Sequence, residues 1–161
     1  MQGIKEGTTT ALVGTITENG KETAYTYDGR GNILEICTKA LDTGKVTDHM
    51  LYTYNGMNQV IREEDAVRGT TYTYTYDLGG NLLENKKYYL VNGVEELRGT
   101  DTYTYSSGWK DQLTSFNGKA ITYDAMGNPL SYMGMNLTWE KGRQLKTLKK
   151  SGTLSQYVYD N

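Results

Sequence analysis

Few residues of this chain carry groups that could perform catalysis or bind a metal. His49 is the only histidine and Cys37 the only cysteine among the 161 residues. A zinc site or a Ser-His-Asp triad needs further partners of this kind, so neither is expected. We interpret His49 as a surface residue in the loop before Met50. A single cysteine cannot form an intrachain disulfide, and we interpret Cys37 as a small buried hydrophobe rather than a reactive thiol.

The carboxylates also lack the spacing of a catalytic or metal site. Aspartates recur at equal positions of a repeated motif, namely Asp28, Asp77, Asp124 and Asp160. The EF-hand spacing is absent, and a tight turn already favours an aspartate whose side chain binds backbone N–H groups nearby. The acidic run 63–65 is expected at a solvated strand end, where charge deters edge pairing. We predict no catalytic, cofactor-binding or metal-binding residues, and a chain that is not an enzyme.

Aromatic side chains are the abundant groups that could bind a ligand. The chain has 15 tyrosines and 2 tryptophans, and exposed aromatic rows on a β-surface can stack on sugars. The second tyrosine of each motif would face the apolar residue six places on, as Tyr27 would face Ile33. That pairing favours a structural core over a glycan platform. Trp109 differs because it lies in an expanded loop, and we predict it as the contact residue for a ligand.

The tyrosines belong to a unit that the sequence repeats seven times. Each copy reads aromatic or aliphatic, usually threonine, aromatic, and then a polar turn closing on an amide and an apolar residue. The copies begin at Tyr25, Tyr52, Tyr74, Tyr103, Ile121, Leu137 and Tyr157. Repetition of one supersecondary unit fixes the architecture before other reasoning.

The first copy shows how the unit is expected to fold. Tyr25 and Tyr27 are two residues apart, so they share one face of a strand while Thr26 faces the other way. The segment 28–31 predicts a type I turn followed by a glycine in the left-handed region. The resulting hairpin places Tyr27 opposite Ile33.

The residues that define the repeat are the aromatic pair, the turn acid and the left-handed glycine. They are Tyr25, Tyr27, Asp28, Gly31, Tyr52, Tyr54, Tyr74, Tyr76, Asp77, Gly80, Tyr103, Tyr105, Tyr123, Asp124, Gly127, Trp139, Tyr157 and Tyr159. Arg143 fits the left-handed position poorly, although Gly142 beside it can shift the turn. We call the turn after each second aromatic the repeat turn.

A second class of turn connects one copy to the next, and we call it the linking turn. Asn-Gly between alternating runs is the strongest short-range hairpin signal. The pairs are Asn19-Gly20, Asn92-Gly93 and Asn117-Gly118, with the segments 42–44 and 133–134 as looser relatives. Alternation of the two turns predicts an all-β fold, a continuous antiparallel meander of about 12 to 14 strands in an extended, curved sheet.

The bulk composition restricts the partners. A formal net charge of -2 gives no electrostatic reason to expect nucleic acid. No stretch approaches the length of an apolar membrane span, so membrane insertion is not expected. We predict a single domain over residues 1–161, with 1–10 as a candidate disordered segment and an end inside a repeat. Unpaired sheet edges predict self-association through edge strands or a swapped hairpin.

The repeats resemble a known family. The segments 25–33, 74–82 and 121–130 read Tyr-Thr-Tyr-Asp-Gly-Arg-Gly-Asn-Ile, Tyr-Thr-Tyr-Asp-Leu-Gly-Gly-Asn-Leu and Ile-Thr-Tyr-Asp-Ala-Met-Gly-Asn-Pro-Leu. They resemble the YD repeats of the RHS family over about residues 20–161, nearly the whole chain. The run 112–148 is similar to the approach to the RHS core of bacterial wall-associated proteins.

The resemblance implies long β-sheets that spiral into a hollow shell around a toxic C-terminal domain, in secreted or cell-wall-associated polymorphic toxins. Animal teneurins have a similar shell. The chain is too short to close a shell, and the self-cleavage segment of such proteins is not recognisable. The expected function is therefore a non-catalytic structural segment, with the remainder of its own RHS polypeptide as partner and no cofactor.

Two other functions stay open from the sequence. The chain could be a carbohydrate- or cell-wall-binding module whose exposed aromatics bind glycan or peptidoglycan. A weaker alternative is a hydrolase whose carboxylate pair is assembled from distant positions.

Overall fold

A computed structural model describes residues 12–160 of the chain, which form β-strands joined by turns and short irregular segments. The candidate disordered segment 1–10 lies outside this range. The strands are β1 Thr15–Glu18, β2 Lys21–Tyr27, β3 Ile33–Ala40, β4 Val46–Tyr54, β5 Val60–Asp65, β6 Thr70–Tyr76, β7 Leu82–Val91, β8 Val94–Tyr105, β9 Leu113–Phe116, β10 Lys119–Ala120, β11 Thr122–Tyr123, β12 Pro129–Tyr132, β13 Met135–Glu140, β14 Gln144–Lys150 and β15 Thr153–Gln156.

Hydrogen-bonded neighbours follow the chain order in both sheets, β1 to β10 in one and β11 to β15 in the other. The predicted antiparallel meander is therefore confirmed. The described range holds more strands than the predicted 12 to 14, partly because the segment 119–123 is divided between the sheets at Ile121. Ile121 is 7% exposed, the one hydrophobic residue that is buried in the described range.

The chain divides into two units, which we describe separately. Unit 1 comprises the described residues up to 74 together with 86–99, and unit 2 comprises 75–85 together with 100–160. Strands β1 to β5 lie wholly in unit 1, and β9 to β15 lie wholly in unit 2. The prediction of a single domain stays a prediction.

Each repeat forms the predicted hairpin, with one addition. The second aromatic stands opposite the apolar residue that opens the return strand. The pairs are Tyr27 with Ile33, Tyr54 with Val60, Tyr105 with Leu113, Tyr123 with Pro129 and Trp139 with Leu145. In all five hairpins a β-bulge follows, because the return strand contains one residue more than the strand it pairs with. Leu34 is the extra residue of the first hairpin, since Thr26 pairs with Glu35. A bulge bends the strand and increases its twist.

The repeat turns have the predicted backbone. The amide of Gly31 donates to the carbonyl of Asp28 at 3.2 Å, and Gly31 has a φ of 88°. The same left-handed position is taken by Asn58, Gly80 and Gly127. The sixth copy differs, because Lys141 and Gly142 both have a positive φ, of 44° and 85°, and Arg143 does not take the left-handed position.

Five of the linking turns are two-residue turns with a positive φ at both positions, the type I′ geometry that matches strand twist. Four of them were among the sequence candidates, at residues 19–20, 92–93, 117–118 and 133–134. A fifth, Ser151-Gly152, was not predicted because serine is not typical of the left-handed region. The looser candidate 42–44 has a positive φ at Gly44 alone.

Side chains alternate as expected, but the aromatic layer is less buried than predicted. The threonines between the aromatics are exposed, and the second aromatics from Tyr27 to Trp139 are half-buried. Tyr159 is exposed in the last copy. The expectation of a buried layer was wrong because, within the described part of unit 1, the residues form one sheet without a second layer over it.

Candidate functional site

The second aromatic of a repeat donates a hydrogen bond to a backbone carbonyl of the preceding return strand. The bonds join Tyr27 Oη to Val13 O (2.8 Å), Tyr54 Oη to Ile33 O (2.8 Å), Tyr105 Oη to Leu82 O (3.0 Å), Tyr123 Oη to Leu113 O (2.6 Å), Trp139 Nε1 to Pro129 O (2.7 Å) and Tyr159 Oη to Leu145 O (3.1 Å). Most acceptors are the apolar residues that open a return strand. We call this set of six bonds the aromatic ladder, and each bond joins a second aromatic to the strand segment that precedes its hairpin.

Three hydroxyls of the ladder, those of Tyr54, Tyr105 and Tyr123, hold their protons more strongly than a free tyrosine does. Desolvation by burial raises the pKa of Tyr54, Tyr105 and Tyr123 above the usual value of 10.0. A phenol that stays neutral remains a hydrogen-bond donor, which a carbonyl acceptor requires. Trp139 fits the ladder because an indole N–H can only donate.

Three of the repeat turns contain the same aspartate–asparagine pair. In the first, Asp28 Oδ1 accepts from the amides of Arg30 (2.8 Å) and Asn32 (2.9 Å), and Oδ2 accepts from Asn32 Nδ2 (2.8 Å). Asp77 and Asp124 bind the amide side chains of Asn81 and Asn128 in the same way, at 2.9 and 2.8 Å. The asparagine hydrogen bond is the largest cause that lowers the pKa of these three aspartates below 3.8.

The repeat turn of the second copy has a similar hydrogen-bond pattern, but an uncharged asparagine replaces the aspartate. Asn55 Oδ1 accepts from the backbone amides of Met57 and Gln59 at 2.9 and 3.1 Å. Asn55 Nδ2 then donates to Gln59 Oε1 at 2.7 Å, so the polarity of the side-chain bond is reversed. Asp28, Asp77 and Asp124 therefore serve turn formation, as the sequence indicated, and in the second copy Asn55 with Gln59 as its partner takes the place of the aspartate–asparagine pair.

Within each unit, side chains of one repeat turn also donate hydrogen bonds to the next repeat turn. In unit 1, Asn32 Nδ2 donates to Asn58 Oδ1 at 3.1 Å, and Arg30 Nη1 donates to Gly56 O at 3.0 Å. In unit 2, Asn128 Nδ2 donates to Gly142 O at 2.6 Å, and Asn128 is buried. Neighbouring turns are thus joined side by side, in parallel with the aromatic ladder.

Trp109, the predicted ligand contact, lies on this row of turns in unit 2. It is 61% exposed, and its backbone amide donates to Ser106 Oγ at 3.2 Å. Its ring atoms Cζ3 and Cη2 lie 3.3 and 3.4 Å from the position that a Cβ on Gly127 would occupy. One edge of the indole therefore packs on the neighbouring turn, while the rest faces solvent. Its role as a ligand contact stays a prediction.

Two expectations about charged residues were wrong. His49 lies within β4 rather than in a loop, is half-buried, and its Nε2 lies 2.7 Å from Glu35 Oε1. The acidic run does lie at a strand end, since β5 ends at Asp65, but its residues are half-buried rather than solvated. Sequence could not show either result, because strand boundaries and long-range partners decide both.

Each member of the acidic run has a partner. Glu64 Oε2 accepts from Arg62 Nη2 at 3.0 Å, and Arg62 also contacts Glu95. Glu63 accepts from the hydroxyl of Tyr74 at 3.2 Å. Asp65 accepts from the backbone amides that follow it in the turn.

A shallow cleft on the aromatic face of unit 1 is the other candidate for ligand binding. Glu63, Asp65, Arg68, Tyr72, Lys87 and Tyr89 are among its lining residues. Lys87 Nζ lies 5.5 Å from the ring centroid of Tyr72 and 4.9 Å from that of Tyr89. The lysine thus lies over one face of each ring as a cation–π contact.

No group of three or more metal-ligating side chains is found between residues 12 and 160. Nor does that stretch contain a helix long and apolar enough to cross a membrane.

The acceptor carbonyls of the aromatic ladder were missed by sequence reasoning, although a signal for the ladder was present. The second aromatic is tyrosine in six copies and tryptophan in one, while the single phenylalanine lies outside that position. Tyrosine and tryptophan share a polar donor that phenylalanine lacks. The acceptor carbonyls could not be identified from the sequence, because every residue has a backbone carbonyl whatever its side chain.

Sequence comparison finds two bacterial relatives, and no family model matches. The chain is 33% identical to the tRNA3(Ser)-specific nuclease WapA of Bacillus spizizenii and 31% identical to the tRNA nuclease WapA of Bacillus subtilis. Each alignment covers 90% of this chain. The chain spans 7% of the length of either relative.

Solved structures share the fold. A Tc holotoxin pore of Photorhabdus luminescens matches 81% of this chain and 9% of its own, with 20% identity and a TM-score of 0.56. A complex named TcdB2–TccC3–Cdc42 matches 80% of this chain and 9% of its own, with 20% identity and a TM-score of 0.54. At this identity the likeness concerns the fold alone.

Removal of a ladder hydroxyl should weaken the fold. We expect Tyr54→Phe and Tyr123→Phe each to lower the free energy of unfolding by about 1 kcal/mol, because a half-buried carbonyl loses its donor. Tyr25→Phe is the control, since the hydroxyl of Tyr25 has no hydrogen-bond partner within the described range. Urea denaturation followed by circular dichroism measures all three. Equal losses in the control and the ladder variants would contradict the role of the ladder.

Acid should destabilise the aspartate turns. The lowered pKa of folded Asp28, Asp77 and Asp124 means that their contribution to stability is complete above the unfolded pKa. It is lost as the pH falls through the lower folded pKa. We expect the thermal midpoint to fall between about pH 4 and pH 2.

The matched variants for this pH series are Asp77→Asn and Asp42→Asn. Asp77→Asn should be less stable at neutral pH and should lose less in acid, because one aspartate–asparagine pair is already absent. Asp42→Asn leaves all three pairs in place and should follow the parent chain. A thermal midpoint of the parent chain that does not change between about pH 4 and pH 2 would contradict a stabilising role of the ionised aspartates.

Proposed function

Because the chain belongs to the RHS/YD-repeat proteins, we propose that it is a non-catalytic, sheet-building segment of a large secreted or cell-surface RHS protein. In that protein it contributes to a β-shell that encloses or presents a C-terminal toxin domain. Its partner is the remainder of the same polypeptide. Neither a nucleic acid nor a cofactor takes part in this role.

The aromatic ladder is the observation that carries the proposal. In six of the seven copies the second aromatic donates to a carbonyl of the preceding strand, so the polar groups of these repeated residues already have structural partners. The polar turn residues are likewise bound to one another. A chain whose repeated side chains join neighbouring hairpins fits a wall that can be lengthened by further repeats.

The relatives support the same role. Two of them are named as tRNA nucleases, and the chain matches 7% of their length, which leaves ample room for a separate catalytic domain. The structural neighbours are toxin assemblies in which the matching part is a similarly small share. The nuclease activity of the relatives is proposed to lie outside the part that this chain matches.

A chimera tests the proposal. The matched segment of the Bacillus subtilis relative is replaced by residues 12–160 of this chain, and protection from a protease is measured by mass spectrometry. We expect the chimera to remain as protected as the parent protein. The control chimera carries Tyr54→Ala, Tyr105→Ala and Tyr123→Ala and should be digested, because three ladder bonds are lost.

Two results would overturn the proposal. The first is equal digestion of the two chimeras at the rate of an unfolded chain. The second is tRNA cleavage by the isolated chain, since a structural segment has no activity of its own.

Glycan binding is the second candidate, and the exposure of Trp109 is what favours it. An indole with a free face can stack on a sugar, and Trp109 keeps 61% of its surface exposed. We expect retention on insoluble peptidoglycan to fall at least about tenfold in Trp109→Ala if this surface binds glycan. Leu78→Ala, which removes an exposed leucine, is the control. Retention that is absent, or unchanged in Trp109→Ala, would exclude this function.

A further inference from the structure

Four asparagine side chains are followed directly by a glycine, those of Asn19, Asn55, Asn92 and Asn117. Asparagine is a thermolabile residue, because the backbone nitrogen of the next residue can attack its side-chain carbonyl carbon. A glycine in that next position has no Cβ to obstruct the approach. Between residues 12 and 160, no group accepts a hydrogen bond from the amides of these four glycines. The attacking nitrogen is therefore available at all four sites.

Two of the four carboxamides are held in place by hydrogen bonds. Asn55 Oδ1 accepts from the backbone amide of Gln59 at 3.1 Å, and Asn55 Nδ2 donates to Gln59 Oε1 at 2.7 Å. Asn117 Oδ1 accepts from the amide of Thr102 at 2.7 Å, and Asn117 Nδ2 donates to Asp101 Oδ1 at 2.7 Å. Both ends of each carboxamide are bound, so the group cannot turn toward the following glycine unless these bonds break.

The other two carboxamides are exposed to solvent. The side chains of Asn19 and Asn92 form no hydrogen bond within the part of the chain that the structure describes. The backbone does not explain this contrast. Asn19 and Gly20 have φ values of 48° and 72°, and Asn117 and Gly118 have 50° and 72°. These two linking turns share one geometry, and they differ in what holds the asparagine side chain.

We propose that Asn19 and Asn92 are sites of spontaneous deamidation, and that hydrogen bonds protect Asn55 and Asn117 from the same reaction. The glycine nitrogen loses its proton to solvent and forms a bond to Cγ of the asparagine. The bond from Cγ to Nδ2 breaks, and ammonia leaves with a proton taken from solvent. Water then opens the five-membered imide at either carbonyl, which leaves aspartate or isoaspartate. One water is consumed for each ammonia released, and nothing is oxidised or reduced.

The two exposed sites differ in the restraint on their backbone. The carbonyl of Gly20 accepts from the amide of Leu41 at 2.9 Å, which ties the turn at residues 19–20 to the start of the next connection. The carbonyl of Gly93 accepts from no backbone amide within residues 12–160. Ring closure requires the backbone to rotate, so we expect Asn92 to react before Asn19.

The products alter the turns in which they form. Isoaspartate carries the chain through its side-chain carbon, which adds one atom to the backbone of a two-residue turn. The turn at residues 19–20 sets the register in which Glu18 pairs with Lys21, so we expect this pairing to be disturbed. Either product also adds one negative charge to a chain whose formal net charge is -2. The reaction depends on the turns of this chain alone and does not require the sheet-building role.

Peptide mapping by mass spectrometry measures the reaction at each site. The full chain is incubated in mildly alkaline buffer, folded in one sample and unfolded by guanidinium chloride in the other. We expect Asn19 and Asn92 of the folded chain to react at least about tenfold faster than Asn55 and Asn117, because the protected carboxamides must first give up their hydrogen bonds. In the unfolded sample the four rates should be similar.

Two substitutions of Asp101 test the cause of the protection. Asp101→Ala removes the acceptor of Asn117 Nδ2, and we expect it to raise the rate at Asn117 at least about fivefold. Asp101→Asn removes the same charge but keeps an acceptor oxygen, so Asn117 should stay protected. The rate at Asn92 is the internal reference in both variants.

Three results would overturn the proposal. The first is an equal rate at all four asparagines of the folded parent chain. The second is an absence of reaction at Asn19 and Asn92 in the folded sample while the unfolded sample reacts. The third is an equal rate at Asn117 in the two Asp101 variants, because the hydrogen bond would then give no protection. The first two comparisons use the parent chain, so they hold even if a variant fails to fold.

Discussion

The hydrogen bond from an aromatic side chain to the backbone carbonyl of the preceding hairpin is the interaction on which this structure depends. A single hairpin is marginally stable in water, and one sheet without a covering layer buries little apolar surface. The half-buried tyrosines offset part of that deficit, and their hydroxyls fix where each hairpin sits against the last. Tyr54 does this in unit 1, and Tyr123 does it in unit 2.

The row of repeat turns adds a second connection between the same hairpins. A turn needs an acceptor for its backbone amides, which Asp28 or Asn55 supplies, and an amide that reaches the next turn. At two turns a glycine is favoured for a steric reason as well as for its positive φ. At Gly127 the indole of Trp109 fills the space that a side chain would need, and at Gly142 the thioether of Met126 does so.

The sequence predicted what depends on neighbouring residues and missed what depends on distant ones. The opposition of Tyr27 and Ile33 and the left-handed Gly31 follow from local turn chemistry, and both were predicted correctly. The bulge at Leu34 and the pairing of His49 with Glu35 depend on strand register and on strands brought together by the fold. The burial of the aromatics was overestimated because the pattern of one strand does not reveal whether a second layer covers the sheet.

The restriction of the second aromatic to tyrosine and tryptophan gives the ladder a direct test. Isotope-labelled tyrosine reports by nuclear magnetic resonance how fast each hydroxyl proton exchanges with water. Hydroxyls bound to a carbonyl should exchange slowly at Tyr54, Tyr105 and Tyr123 and rapidly at Tyr25 and Tyr157. Uniformly rapid exchange would contradict the account, because the hairpins would then be joined by their strands and turns alone.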